Sequence, residues 1–186
     1  IQVVHRLHAD NGTPKEAAAA IAAYRLAHEM VPSQLLAHAE VWEALLPQMP
    51  MTAMVRNLGT MTKVGLVVEM SDAARTIVGR LQNQEYLRKS RIHPLAVLVA
   101  LKTYAQGHGV RGSATWTPVR SVVDALGAAF YLSFGNVEPT GKRLLLALDV
   151  SGSMTCSLNG LPLSCREASA ALALVTAAVE PQYEIV

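Results

Sequence analysis

Residues 144–154 read LLLALDVSGSM, and this stretch limits what the chain can fold into more than any other. The apolar run has no alternation, as expected of a strand covered on both faces. It then stops at Asp149, Ser151 and Ser153. Side chains alternate along an extended backbone, so these three oxygen-bearing groups can point the same way. They stand where open α/β sheets place their sites, at the carboxyl end of a central strand. A polar loop follows over 155–164, then a helical pattern over 166–179, then Pro181 and the strand-like YEIV. Strand, helix, strand is the opening unit of a parallel α/β sheet.

The chain before this unit has a different period. Over 1–135 the apolar residues recur at three and four, not two, which predicts helices separated by turns. Thr13-Pro14-Lys15-Glu16 is a capping box with proline at the first helical position, opening a helix to about residue 28. Helical spacing runs over 35–46. Pro50 opens a short helix that Gly59 is expected to end. Ser71 caps a helix to about 83, with a further turn or two over 84–90. His93-Pro94 opens an apolar helix that Gly107 closes. Thr117-Pro118 opens the last, to about 134. Short links favour neighbouring helices packed antiparallel. Both a helical-repeat array and a compact irregular bundle satisfy this pattern. Residues 136–143, with Gly, Pro and charge but no period, read as a linker.

Charge divides along the same boundary. Residues 1–143 hold 15 Lys+Arg and 10 Asp+Glu, a net +5, whereas 144–186 hold 1 and 4, a net −3. Within 73–121, Arg75, Arg80, Arg88, Lys89, Arg91, Lys102, Arg111 and Arg120 face only Glu85. This predicts a basic face on the helical module beside a slightly acidic second module. With no long uncharged apolar segment and no signal-peptide pattern, a soluble cytoplasmic protein is the simplest reading. Cys156 and Cys165 share one polar loop. They are expected to be free thiols, since the compartment disfavours a disulfide and no histidines accompany them for zinc. Because the helix over 166–179 is left with an apolar face, the chain is expected to associate or to belong to a longer protein.

One carboxylate and two hydroxyls are hard oxygen ligands, and Mg²⁺ keeps several waters and needs few protein ligands. Asp149, Ser151 and Ser153 are therefore candidate ligands of a divalent cation, with Gly152 letting the backbone turn closely. A strand end followed by an Asx or Ser turn uses the same residues. Enzyme chemistry is disfavoured. The pattern is not G-x-S-x-G, and no histidine follows position 108. An aspartyl-phosphate route through Asp149 lacks a second acid two residues on.

The DVSGSM stretch resembles the D-x-S-x-S metal-site motif of von Willebrand factor A domains. The upstream blocks AEVWEALLPQMPMTAMVRNLGTMT, RIHPLAVLVALKTYAQGHGVRG and FGNVEPTGKRLLLALDVSGSM, in that order, resemble the Ro ribonucleoprotein family and its TROVE module. The alanine-heavy sequence looks more like a bacterial member than a vertebrate one. The resemblance implies HEAT-like helical repeats over 1–135, forming part of a ring, followed by the start of an α/β, Rossmann-like A domain over 144–186. It implies binding of small structured non-coding RNA (Y RNA-like) on the ring's outer surface, and of misfolded RNA whose single-stranded 3′ end enters the hole. The implied role is RNA quality control and stability, with an exoribonuclease as partner in bacteria. It also implies that a threonine and an aspartate beyond residue 186 complete the metal site, and that helices before residue 1 complete the RNA surface.

In that light the densest basic cluster, Arg88, Lys89 and Arg91, becomes a candidate phosphate-binding site. Otherwise it reads as a solvated helix end answering the helix dipole. Lys102, His108 and Arg111 form a second candidate set, because glycine-rich GHGVRG lets backbone approach a phosphate. The same glycines also fit a simple helix stop and turn. Trp42 falls at helical spacing with Val41, Leu45 and Leu46 and reads as core. Trp116, in a polar turn, is the better of the two as a base-stacking candidate. His93 reads as a structural histidine, and the methionines of 49–61 as core filler.

Overall fold

The computed structural model describes residues 12–186 together with Val4 and Leu7. Helix α1, Pro14–Tyr24, starts at the expected capping box. The Glu16 N–H donates to Thr13 Oγ1 (3.3 Å) and the Thr13 N–H to Glu16 Oε2 (2.8 Å). It stops short of 28 because Arg25 turns left-handed, with φ 53°. The helical spacing over 35–46 is split: a 3₁₀ turn Leu35–Ala37, an extended His38, then α2, Ala39–Leu45, and a second 3₁₀ turn Leu46–Gln48. Trp42 bridges the break. Its indole Nε1–H donates to Leu36 O (2.7 Å), satisfying a carbonyl that the Glu40 N–H would take in a continuous helix. The side chain is 1% exposed, in the core as expected.

Helix α3 is Met51–Lys63, and here the sequence expectation needs correction: it runs through Gly59 rather than ending there. A Cβ built on Gly59 would meet the Trp116 ring at 2.6 Å, so the glycine is a notch that admits an indole rather than a stop signal. Met51, Met54 and Met61 are buried along this helix, as core filler. Then come α4, Asp72–Gln82, capped by Ser71, and α5, Gln84–Ser90, capped by Asn83. Helix α6, Pro94–Ala105, is capped by His93, whose Nδ1 accepts the Leu95 N–H (3.2 Å), a structural role. Helix α7, Arg120–Leu132, begins two residues after Pro118, where the Arg120 N–H donates to Glu69 Oε1 (2.8 Å). A carboxylate at a helix N-terminus is favourable to the dipole.

Helices α1 and α2 pack together, and α7 packs against both α4 and α6. One continuous core joins Trp42, Leu58, Ile77, Leu81, Leu87 and Leu126. It extends into Ala171 and Val175 of the last helix, α8, Cys165–Val179. Strands β1, Leu144–Leu146, and β2, Tyr183–Ile185, pair in parallel on either side of α8 in sequence, with Leu144 opposite Tyr183. The Leu148 N–H donates to Val186 O (2.9 Å) and prolongs the pairing. Coverage of β1 on both faces is not seen: Leu145 is 66% exposed, and Leu172 and Leu174 of α8 are half exposed. Among the described residues the sheet has two strands, and nothing lies over that side of it.

Residues 137–143 carry no helix or strand but are pinned. Asn136, in the 3₁₀ turn Ser133–Asn136, donates through Nδ2 to Leu87 O and Ile92 O. The Glu180 carboxylate accepts the N–H groups of Thr140 (2.6 Å) and Gly141 (3.1 Å). Those two bonds hold its carboxyl below the ordinary 4.5, the Thr140 N–H contributing most. Among the described residues no helix is long and apolar enough to cross a membrane.

Candidate nucleic-acid interface and cation loop

The first basic cluster stands on the last turn of α5. Lys89 pairs with Glu85 (2.7 Å), an i,i+4 surface pair. Arg88 and Arg91 are exposed and have no acidic partner among the described residues. Arg91 ends the helix in left-handed conformation, φ 51°. The Asn136 amide, by holding the carbonyls of Leu87 and Ile92, fixes the turn that carries all three cations. Sequence reasoning missed Asn136, since it lies more than forty positions along the chain from both carbonyls.

The second set lies at the other end of α6. Twelve helical residues separate the two ends by about 18 Å, so the two basic groups are not one cluster. Lys102 is engaged: its Nζ binds Glu167 Oε1 at the start of α8. His108 and Arg111 sit in a short hairpin, closed by a His108–Thr115 bridge and by the Trp116 N–H donating to Gly107 O (2.9 Å). Gly107 ends α6 in left-handed conformation, φ 76°, and a Cβ there would strike Trp116 O at 2.9 Å. The Arg111 guanidinium lies beside Gly160, across in the loop that follows the D-x-S-x-S stretch. Trp116 itself is not a free platform. It wedges against Gly59, donates its Nε1–H to Tyr104 O (2.9 Å) and stacks on the Tyr104 ring at 6.2 Å.

The triplet converges, but not by alternation along a strand: β1 stops at Leu146, and Ser153 lies in the 3₁₀ turn Gly152–Thr155. Asp149 Oδ1 accepts the Ser151 N–H (2.8 Å), and Ser151 Oγ lies 2.9 Å from Ser153 Oγ. The Ser151 N–H, then its hydroxyl, hold the Asp149 carboxyl below its ordinary 3.8, with a smaller pull from Arg166. Arg166 Nη2 donates to Val150 O (2.9 Å) and Ser151 O (3.0 Å), so the first turn of α8 shapes this loop. An ionised carboxylate with two adjacent hydroxyls fits a hydrated hard cation, which needs few protein ligands. No cluster of three His, Cys, Asp or Glu able to hold a metal occurs among the described residues.

The Lys102–Glu167 pair ties the helical part to α8. Glu167 is held at about 2, chiefly by Lys102 and next by the Ser164 N–H of the α8 capping box. A folded value below the ordinary 4.5 means this contribution to stability is present above pH 4.5. It fades as pH falls through about 2. Both side chains are about two-fifths exposed, so the pair contributes under about 1 kcal/mol. Lys102→Met is expected to raise the Glu167 carboxyl toward 4.5 without unfolding the chain. A carboxyl NMR titration that finds Glu167 unmoved would show the pair to be absent in solution.

With this geometry in place, comparison with known proteins defines the class. A TROVE domain model matches residues 25–103, and a Ro60 vWA domain model matches residues 143–186. The chain is thus a TROVE helical segment running into the start of a von Willebrand A domain. It is 51% identical to the RNA-binding protein RO60 of Caenorhabditis elegans over 158 residues, 84% of this chain and 24% of that one. It is 46% identical to the RNA-binding protein RO60 of Deinococcus radiodurans over 172 residues, 91% of this chain and 32% of that one. The crystal structure of the Deinococcus radiodurans RO (RSR) protein superposes with a TM-score of 0.92 at 42% identity, over 99% of this chain and 37% of that one. The chain belongs to the Ro family, and it spans about a quarter to a third of the length of its curated relatives.

Proposed function

We propose that this chain is the junction segment of an RNA-binding Ro scaffold rather than an enzyme. Its HEAT-like helices would carry part of the RNA surface, for small structured non-coding RNA of the Y RNA kind and for the 3′ ends of misfolded RNA. The observation that supports this best is the turn at 88–91, where Arg88 and Arg91 stand exposed without acidic partners on backbone pinned by Asn136. The backbone that carries these cations is already ordered before they meet phosphates, and binding of this type is electrostatic with limited base readout. The Ro relatives named as RNA-binding proteins favour the same reading. An exoribonuclease is the partner this role would use.

The test is RNA binding by the protein that carries this chain, across a salt series. The probes are a hairpin with a single-stranded 3′ tail, the same hairpin blunt-ended, and competing duplex DNA. The tailed RNA is expected to bind best, and six or more phosphate contacts would cost its affinity about a thousandfold between 50 and 200 mM salt. Equal, weak binding to all three nucleic acids would reject recognition of RNA ends.

A second reading rests on a separate observation, the convergence of Asp149, Ser151 and Ser153. These residues would hold a divalent cation, Mg²⁺ by their hardness, which would supply an open coordination position for a carboxylate of a protein partner. Loss of partner capture on chelation, restored by magnesium, would favour it.

A further inference from the structure

The two cysteines play no part in either reading, yet the fold brings them together. Cys156 follows the 3₁₀ turn Gly152–Thr155, and Cys165 is the first residue of α8. The loop between them is a hairpin. The Cys165 N–H donates to Cys156 O (2.9 Å), Ser157 bridges Ser164, and the Leu158 N–H donates to Leu163 O (2.8 Å). Gly160 makes the turn at φ 75°. The two Sγ atoms lie 3.3 Å apart, in hydrogen-bond contact and not bonded. A disulfide needs the sulfurs at about 2 Å, so the pair has only about 1 Å left to close.

We infer that Cys156 and Cys165 form a reversible dithiol–disulfide site that a low-molecular-weight disulfide oxidises. Cys156 is exposed and Cys165 partly buried, so access selects Cys156 as the attacking sulfur. Its thiolate attacks one sulfur of the oxidant, the oxidant's S–S bond breaks, and one thiolate leaves. Cys165, once deprotonated, attacks the Cys156 sulfur of this mixed disulfide and expels the second thiolate. The two cysteine protons end on the two departing thiols. The protein gives up two electrons and the oxidant gains them. The hydrogen bond to Cys156 pushes the Cys165 thiol up. The bond would tie the end of the Ser151–Ser153 turn to the start of α8, whose Arg166 and Glu167 hold the cation loop and the junction.

The experiment equilibrates the protein carrying this chain in glutathione buffers of graded redox ratio, folded and in guanidinium. Free thiols are then trapped by alkylation, and the tryptic peptide 144–166 is weighed; it holds both cysteines and no internal cleavage site. In the folded protein the peptide is expected to pass directly from doubly alkylated to unalkylated and two hydrogens lighter. The oxidation constant is expected to exceed that of the unfolded chain by about tenfold or more, because the fold holds the sulfurs together. Cys165→Ser is expected to leave a stable glutathione adduct on Cys156. Equal constants folded and unfolded, a persistent adduct on one cysteine of the unmutated chain, or two thiols still free in oxidised glutathione would each overturn the inference.

Discussion

Neutralising the 88–91 turn, by Arg88→Gln, Lys89→Gln and Arg91→Asn, is expected to flatten the salt dependence of RNA binding. Each lost phosphate contact removes roughly 0.7 to 0.9 from the slope of log affinity against log salt, so three remove about 2 to 3. The affinity deficit should be roughly two to three orders of magnitude at 50 mM salt, and should shrink by about 20- to 40-fold by 200 mM. Asparagine is chosen at position 91 because it tolerates the left-handed backbone, φ 51°. Glutamine at 89 gives up the Glu85 pair, worth about half a kcal/mol of helix stability, so folding survives. Arg75→Gln is the control. It removes one positive charge from the same module, but a charge already paired with Asp72 at 2.7 Å. If the triple variant keeps the parent's slope, these cations do not touch phosphate. If Arg75→Gln changes it as much per charge, the effect is bulk charge rather than a site.

Local chemistry made much of this molecule legible. The capping box at Thr13–Glu16, the Ser71 cap and proline at the first turn of α6 each act within four residues, and each helix begins where its signal stands. Asp149, Ser151 and Ser153 do meet, but through a turn rather than by alternation along a strand, since Ser153 lies in the 3₁₀ turn Gly152–Thr155. What the sequence hid depends on distant partners. Lys102 reads as a free cation until Glu167, 65 positions away, is brought to it. Arg111, by contrast, stays exposed beside Gly160 with no acidic partner among the described residues. The break at His38 is bridged by a bond from Trp42 to Leu36 O, which periodicity alone cannot see. The basic residues were therefore identifiable as charges. Which of them remain available to a ligand was decided by long-range pairing.

Gly59 is the sharpest case, and it carries the second prediction. On helix propensity alone Gly59→Ala should stabilise α3 by about 1 kcal/mol. The structure reverses the sign. The new methyl would stand 2.6 to 2.8 Å from three carbons of the Trp116 ring, a rigid group that cannot yield like the end of a flexible chain. The indole is anchored through its Nε1–H to Tyr104 O and through its backbone N–H to Gly107 O. Moving it disturbs the hairpin that presents His108 and Arg111. Overpacking of this kind costs about 1 to 3 kcal/mol, which outweighs the gain in propensity. Gly59→Ala is thus expected to destabilise the chain by up to about 2 kcal/mol and to loosen hydrogen exchange over 107–116. In a Trp116→Ala background the clash is gone and only the propensity remains. There the same substitution is expected to stabilise, by up to about 1 kcal/mol. A double-mutant cycle by chemical denaturation reads the difference directly. A change of sign between the two backgrounds establishes the Gly59 notch as the seat of Trp116. The same sign in both would mean that Trp116 does not occupy the notch in solution, and the tryptophan would return to candidacy as a base-stacking side chain.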